Sequence, residues 1–181
     1  MRVIAGSARS LKLITPSGDN TRPTQDRIKE TLFNILSCEI PECYFLDMFA
    51  GSGGIGIEAL SRGASKAYFI DNNKAALECV DANLKTTHLS DRAQVLKGNV
   101  LNCLSQIREE HIDIVFMDPP YQAGLEEACF DAMSRLNYID ENTLIIVEAD
   151  IKKDFQFSGF EIVRVKEYKT NKHIFLRKCN E

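Results

Sequence analysis

The chain has 181 residues, of which 44% are hydrophobic, and its formal net charge is −4. This length and composition suffice for one domain with a single core. No apolar run approaches the roughly 18 to 20 residues that cross a bilayer, and Met1–Gly6 lacks the apolar core of a signal peptide. The composition therefore excludes a membrane-spanning helix, and we expect one cytoplasmic domain over residues 1–181.

The charge is distributed unevenly along the chain. Residues 1–30 carry six Lys or Arg against three Asp or Glu, and residues 152–181 carry eight against four. The 121 residues between them carry eight against nineteen. Basic ends permit binding to nucleic-acid phosphates although the whole chain is acidic, but ordinary solvated surfaces give the same pattern. The charge pattern alone leaves both interpretations open.

The first 40 residues predict a short β-hairpin, a loop and a helix, in that order. Short β-like stretches at 2–5 and 11–14 predict a small N-terminal β-hairpin extension, and the segment 15–23 has loop composition throughout. Apolar residues at helical spacing then predict a helix over about 24–38, with Thr24 at the N-cap position.

From Tyr44 onward, short apolar runs alternate with amphipathic ones. The apolar runs predict strands at 44–49, 67–70, 93–96, 112–117 and 143–147. The amphipathic patterns predict helices at 54–62, 73–86, 99–110 and 123–137. This alternation predicts an α/β, Rossmann-like fold with a doubly wound, mostly parallel sheet. Two polar-apolar strands at 160–168 and 173–179, joined by residues 170–172, complete seven strands as a C-terminal antiparallel hairpin.

The first predicted strand runs into a glycine-rich turn. Residues 51–56 read G-x-G-x-x-G, in which Gly51 and Gly53 allow a sharp turn and a close approach of the backbone to a ligand. Asp71 follows 20 residues after Gly51 at the end of the next strand, where its carboxylate can accept hydrogen bonds from a ribose diol. The pattern predicts a site for an adenosine-containing cofactor.

Neighbouring residues favour S-adenosylmethionine as that cofactor. Asp47 stands at the strand end before the glycines, where a carboxylate repels a pyrophosphate and suits a cationic amino acid moiety. The loop also lies about 50 residues into the chain instead of at its start, and the C-terminal half is too short for a substrate domain. An NAD-dependent dehydrogenase is the alternative. Asn99, after the third strand, is a candidate for binding the adenine amino group, although Gly-Asn is also an ordinary turn signal.

The middle strand of the predicted sheet stops at Asp118-Pro119-Pro120-Tyr121. Two prolines end the strand and leave carbonyl groups without ladder partners. The exocyclic amino group of guanine, adenine or cytosine is a poor nucleophile because its lone pair is delocalised into the ring. We hypothesise that the Asp118 carboxylate and the Pro119 carbonyl accept its two hydrogens while Tyr121 stacks on the base. A turn that merely ends a strand is the alternative.

The cysteines and histidines do not predict a metal site. No cysteine pair has C-x-x-C spacing, and we interpret all six as reduced core thiols. Their positions are Cys38, Cys43, Cys79, Cys103, Cys129 and Cys179. The histidines His88, His111 and His173 lie far apart on polar stretches, so we expect solvated or capping roles for them.

A glycine loop followed by an Asp-Pro-Pro-Tyr turn resembles the amino-methyltransferases that act on nucleic acids. The segment Arg22–Leu36, which reads R-P-T-Q-D-R-I-K-E-T-L-F-N-I-L, is more specific and resembles the bacterial RsmD family. That family methylates N2 of one guanine, guanine 966, in 16S ribosomal RNA. The likeness runs from residue 2 to about 150 and is least clear in the C-terminal tail. It implies a class I S-adenosylmethionine-dependent methyltransferase fold.

The resemblance also implies roles for individual residues. The residues expected to line the cofactor pocket are Asp47, Phe49, Ala50, Gly51, Gly53, Asp71, Asn72, Asn99 and Val100. Asp118, Pro119 and Tyr121 are expected to hold the guanine. Substrate RNA is expected to contact Arg22, Thr24 and Arg27. Residues 1–23 then form an RNA-binding extension, and residues 24–181 form the catalytic core.

The basic residues near the helix start support an RNA contact independently of the resemblance. Arg22 and Arg27 bracket that start, and Arg9, Lys12 and Lys29 lie near them in sequence. We expect this group to bind phosphates, with surface salt bridges to neighbouring carboxylates as the alternative.

The implied partner is 16S ribosomal RNA, either free or within a small ribosomal subunit, and we expect a monomer without metal. A DNA adenine-N6 or cytosine-N4 methyltransferase is the first alternative, although such enzymes usually carry an extra recognition domain. An RNA-binding module with an inactive pocket is a further alternative.

Overall fold

The computed structural model describes residues 1–16, 23–120, 125–153 and 157–179. The helices are α1 Pro23–Ile35, α2 Gly54–Ser61, α3 Lys74–Thr87, α4 Val100–Leu104 and α5 Leu125–Ser134. The strands are β1 Tyr44–Asp47, β2 Lys66–Asp71, β3 Ala93–Lys97, β4 Ile114–Met117, β5 Leu144–Asp150, β6 Phe160–Glu167 and β7 Asn171–Lys178. A single 3₁₀ turn, Ser90–Arg92, precedes β3.

All seven strands form one sheet in the order β3-β2-β1-β4-β5-β7-β6. The first five strands of that order run parallel, whereas β7 is antiparallel to both β5 and β6. This arrangement confirms the predicted Rossmann-like sheet with a closing antiparallel hairpin. Because β1 and β4 lie side by side in the middle, the turns that follow them open at the same edge of the sheet.

Each face of the sheet packs against its own set of helices. Phe45 and Phe116 point to the face covered by α1, α2 and α3, while Leu46 and Met117 point to the face covered by α4 and α5. Successive residues of a strand point to opposite faces, and both faces are buried, which explains why these strands read as short, nearly continuous apolar runs.

The N-terminal segment forms the predicted hairpin in minimal form. A single antiparallel bridge joins Arg2 to Lys12, and the Val3 N–H donates to the Leu11 carbonyl at 2.9 Å. Val3, Ala8 and Leu13 are buried in the core on the α1–α2–α3 face. The extension is therefore packed into the same core as the sheet.

A buried carboxylate fixes this segment to α2. Glu58 accepts hydrogen bonds from the N–H groups of Ile4 and Ala5 at 2.8 and 3.0 Å. It also forms salt bridges with Lys29 at 3.2 Å and with Arg62 at 2.8 Å. The charges of this carboxylate and of Lys29 are thus paired inside the protein.

The same cluster corrects the prediction that Lys29 contacts phosphate. Lys29 is only 4% exposed, and its ammonium group donates to the Arg2 carbonyl at 2.7 Å. Burial lowers the pKa of Lys29, and the neighbouring Glu58 partly restores it. Lys29 lies on the inward side of α1, a position that the helical spacing in the sequence did not reveal.

Several boundaries differ from the predictions. Helix α1 begins at Pro23, so Thr24 lies in the first turn and is not its N-cap; proline is favoured at that first position because its missing N–H needs no partner there. Helix α4 ends at Leu104, well before residue 110, because the following backbone hydrogen bonds span three residues instead of four: the Gln106 N–H donates to the Cys103 carbonyl at 2.9 Å. Asn171 begins β7 instead of lying in the hairpin turn.

Two of the six cysteines are not core residues. Cys38 and Cys179 are exposed, while the other four are buried, and all six are free thiols. Within the part of the chain that the structure describes, no helix is long and apolar enough to cross a membrane. Most of the predicted loop over 15–23 lies outside the described residues.

Candidate cofactor and substrate crevice

Two adjoining cavities open at the sheet edge where the parallel strands end. The Asp71 cavity, of about 480 Å³, is bordered by Asp71, Asn72, Asn99 and Val100. The Glu148 cavity, of about 270 Å³, is bordered by Asp47, Ala50, Glu148 and His173. Phe49, Gly51 and Asp118 line both cavities. These three residues therefore stand where a ligand in one cavity would meet a ligand in the other.

The glycine loop takes the backbone conformation that the sequence predicts. Gly51 and Gly53 have φ angles of +53° and +81°, a region that side chains disfavour. A Cβ placed at Gly51 would meet no atom within 4 Å, so this backbone is open to a ligand. A Cβ at Gly56 would lie 2.4 Å from the Phe69 ring, so Gly56 allows α2 to pack closely on the sheet.

Asp71 holds the glycine loop in place. One of its carboxylate oxygens accepts the Gly51 N–H at 2.8 Å, and the other accepts the Asn73 N–H at 2.8 Å. Asn73 in turn caps α3, its side chain accepting from the Ala75 N–H at 2.9 Å. Each oxygen of an ionised carboxylate has a second lone pair, so Asp71 can still accept hydrogen bonds from ligand hydroxyl groups.

Asn99 is engaged by its own helix. Its side-chain oxygen accepts the Leu101 N–H at 2.9 Å and thereby caps α4. The N–H of Val100 belongs to the first turn of that helix, where backbone donors lack intrahelical acceptors. Since both residues border the Asp71 cavity, they offer a fixed carboxamide and a backbone donor to a ligand there.

The crevice concentrates negative charge. Asp47 is 1% exposed and accepts the Gly56 N–H at 3.1 Å. Burial, together with the nearby charges of Asp118 and Asp71, raises the pKa of Asp47 to about 7. Together with Glu148, these carboxylates favour a cationic ligand in the crevice and repel a pyrophosphate. This electrostatic environment weighs against the dinucleotide alternative.

The turn after β4 brings Asp118 to the junction of the cavities and Pro119 to the border of the Asp71 cavity. Asp118 stays accessible from both sides, whereas Pro119 is buried. The pKa of Asp118 is raised to about 7, first because surrounding protein displaces water and second because Glu148 is nearby. Tyr121, the third residue predicted to act here, lies outside the described residues.

Sequence reasoning missed two residues of the Glu148 cavity. His173 was expected to be solvated or a cap, which is wrong: it is 1% exposed, and its Nε2 lies 3.2 Å from a Glu148 oxygen. Strand β7 is an inner strand, so its polar residue is enclosed. The sequence feature that could have indicated this cavity is Glu148, which interrupts the apolar run of β5. By contrast, His88 does cap α3, and His111 lies 3.1 Å from Asp140.

A third cavity, of about 440 Å³, separates the N-terminal segment from α1. Arg2, Arg9 and Arg27 border it together with Asp26 and Glu30. The Arg2 Nε lies 3.6 Å from an Asp26 oxygen, while Arg27 is exposed. Because Asp26 also borders the Glu148 cavity, these arginines stand next to the crevice. Arg22 and the side chain of Thr24 lie outside the described residues.

Comparisons with known proteins agree with this geometry. A family model described as conserved hypothetical protein 95 matches residues 1–177. The chain is 40% identical over 155 residues to ribosomal RNA small subunit methyltransferase D of Haemophilus influenzae, covering 84% of this chain and 80% of that one. Its identity to the protein of the same name from Escherichia coli K12 is 38% over 152 residues, covering 84% and 76%.

Solved structures extend the likeness to the C-terminal tail. The Escherichia coli protein yhhF superimposes with a TM-score of 0.83 at 32% identity, covering 98% of this chain and 97% of that one. The tail, in which the sequence resemblance is least clear, therefore shares the fold of that protein.

Proposed function

The chain belongs to the family of conserved hypothetical protein 95, the RsmD family, and on that premise we propose that it methylates N2 of a guanine in 16S ribosomal RNA, with S-adenosylmethionine as the methyl donor. The names of its relatives support ribosomal RNA of the small subunit as the substrate. The feature of the site that supports methyl transfer most directly is the position of Asp118, which borders both cavities. The methyl donor and the acceptor amine can then approach each other from opposite sides.

The residues of the Asp71 cavity fit the adenosine part of the cofactor, whose sulfonium supplies an electrophilic methyl group. Asp71 would accept hydrogen bonds from the ribose, while Asn72, Asn99 and Val100 would surround the adenine. The glycine loop would contact the amino acid part through Phe49, Ala50, Gly51 and Gly53. Asp47 would balance its ammonium group, and a cation there would offset the burial and the neighbouring negative charges that raise the pKa of this carboxyl to about 7.

Asp118 and Pro119 would activate the amine by accepting its two hydrogens, and Tyr121 would stack on the base. Accepting both hydrogens draws the nitrogen lone pair out of the aromatic ring and toward the methyl group. Alignment dominates such a displacement, in which a shift of about 1 Å costs on the order of a hundredfold in rate. A carboxyl with a pKa near 7 is also suited to take the proton that the amine releases after transfer.

The N-terminal side would bind the RNA. We assign this role to Arg22, Thr24 and Arg27, with residues 1–23 as the RNA-binding extension of a catalytic core over 24–181. The exposed Arg27 beside Arg2 and Arg9 supports this assignment. An rRNA substrate implies a cytoplasmic protein. Transfer from a sulfonium needs no Lewis acid, so we expect no metal, and we expect the protein to act as a monomer.

The test is transfer of a labelled methyl group from S-adenosylmethionine to small ribosomal subunits, to 16S RNA stripped of protein and to DNA, all taken from cells lacking the enzyme. We expect N2-methylguanosine at one position. Label in DNA adenine or cytosine instead would contradict the substrate assignment, and absence of any label despite cofactor binding would contradict the activity.

A further inference from the structure

We propose that Glu148 selects guanine in this site by accepting a hydrogen bond from the base N1–H. The proposal rests on the proposed function, because it concerns how the same crevice distinguishes guanine from other bases that carry an amino group. Asp118 and Pro119 alone accept hydrogens from any exocyclic amine and cannot make this distinction.

Glu148 lies beside Asp118 at the point where the parallel pairing of β4 with β5 ends. Met117 of β4 pairs with Val147 of β5, so the residues that follow this pair are Asp118 and Glu148. Adjacent strands lie about 4.8 Å apart, and alternation along each strand sends both carboxylates to the same face of the sheet. Both side chains border the Glu148 cavity, where Phe116 of the same face also lies.

The cavity holds Glu148 in one orientation through a chain of donors. His173 stands directly opposite Glu148 in the β5–β7 register, with its Nε2 3.2 Å from one carboxylate oxygen. The Asn171 side-chain amide donates to the other oxygen. The Tyr168 hydroxyl lies 3.1 Å from the His173 Nδ1.

The directions of these hydrogen bonds follow from the groups that form them. A carboxylate can only accept, so the Nε2 of His173 donates to Glu148. Burial, and then the charge of Glu148, raise the pKa of Tyr168 to about 12, so its hydroxyl keeps its proton and can donate to the Nδ1 of His173. Each carboxylate oxygen therefore receives one hydrogen bond from the protein and keeps a lone pair for a ligand.

Guanine is the base that this arrangement fits. Next to its N2 amino group, guanine carries the N1–H donor. Adenine and cytosine instead present an unprotonated ring nitrogen next to the amino group. A carboxylate can only accept, so it attracts N1–H and repels a ring nitrogen lone pair. The Glu148 side chain is 27% exposed, which leaves it within reach of a base in the cavity.

The base analogue 2-aminopurine isolates this contact, since it keeps the N2 amino group of guanine but has no hydrogen on N1. We would assemble small subunits from 16S RNA carrying either guanine or 2-aminopurine at the modified position, and measure kcat/KM for labelled methyl transfer. The wild-type protein should prefer guanine by about a hundredfold, the discrimination expected of one hydrogen bond to a charged group.

Variants test whether Glu148 provides that preference. In Glu148→Gln, the carboxamide can donate as well as accept, so the preference should fall to within about tenfold while the Kd of S-adenosylmethionine stays unchanged. The matched control is Glu161→Gln on the exposed edge strand β6, which should keep the full preference. Tyr168→Phe removes the hydrogen bond to His173 and should give an intermediate preference for guanine. If Glu148→Gln does not fold, this variant provides the test.

The outcomes separate this proposal from the proposed function. Equal methylation of guanine and 2-aminopurine by the wild-type protein overturns the role of Glu148 and leaves the activity intact. Full preference retained in both Glu148→Gln and Tyr168→Phe overturns it as well. If neither base is methylated by the wild-type protein, the proposed function fails, and the selection of guanine fails with it.

Discussion

The two cavities on either side of Asp118 are built in different ways. The Asp71 cavity is formed by turns that directly follow β2, β3 and β4, and by loop backbone and amide groups. The Glu148 cavity is enclosed by side chains from α1, β5 and β7, which lie far apart in the sequence. One cavity therefore depends on local turns, whereas the other depends on long-range packing, and the two should respond differently to substitution.

The largest expected change in free energy comes from the support behind the Glu148 cavity. Glu58→Ala would leave Lys29 buried without its carboxylate and release the N–H groups of Ile4 and Ala5. We expect the free energy of unfolding in urea to fall by about 3 to 5 kcal/mol, as for other broken buried ion pairs. The control is Glu78→Ala, which removes an exposed pair with Lys74. Equal losses for the two variants would refute the role of Glu58 in fixing the N-terminal segment to α2.

Asp118→Ala tests the junction between the cavities. Losing one acceptor for the amine should lower the single-turnover rate of methyl transfer on the order of a hundredfold to a thousandfold. The Kd of S-adenosylmethionine, measured by calorimetry, should change little, because the adenosine contacts lie on the Asp71 side. Asp118→Asn keeps an acceptor oxygen and should give an intermediate rate. Near-normal turnover in Asp118→Ala would remove this residue from the mechanism.

Asp71→Ala tests the Asp71 cavity alone. The change removes the proposed ribose acceptor and the support for the Gly51 N–H. The Kd of S-adenosylmethionine should rise about ten- to a hundredfold, the usual range for hydrogen bonds to a charged group, while the rate at saturating cofactor changes much less. Asp81→Ala, an exposed position on α3, is the control. A lowered saturated rate with an unchanged Kd would reverse the assignment of the two cavities.

The smallest expected effect is the pH dependence of the crevice. Because Asp118 must be ionised to accept hydrogens and its pKa is raised to about 7, kcat/KM should rise with pH and level off above about 7. In the Asp118→Asn variant, kcat/KM should no longer rise with pH in this range. If the pH dependence of kcat/KM is unchanged by that substitution, it belongs to another group.

Stability should show the opposite trend with pH. Asp47 and Asp118 bind protons more tightly in the folded protein than in the unfolded chain. Their contribution therefore favours folding at low pH and is lost as the pH rises from about 4 to about 7. Urea titrations of Asp47→Asn across this range should show a weaker decline than the wild-type protein. An equal decline would mean that Asp47 has an ordinary pKa.

The sequence predicts the Asp71 cavity, which is formed by local turns, better than the Glu148 cavity, which depends on long-range packing. The glycine loop and Asp71 belong to the same strand–helix–strand unit, so a local pattern suffices to place them together. His173 meets Glu148 only because β7 inserts between β5 and β6, an antiparallel register that hydrophobic periodicity does not encode. The sequence likewise suggests that Lys29 is a surface cation, because its buried ion pair with Glu58 becomes apparent only in the folded structure. Long-range pairing decides these positions, and no local pattern records it.

The most direct test is a crystal structure of the protein with bound S-adenosylhomocysteine. We expect the adenosine in the Asp71 cavity with its ribose on Asp71, and its sulfur directed toward Asp118. The amino acid end should lie beside Asp47 at the glycine-loop side of the Glu148 cavity, which leaves the space beside Glu148 and His173 free for the base. Adenosine in the Glu148 cavity, or a sulfur atom directed away from Asp118, would contradict this assignment.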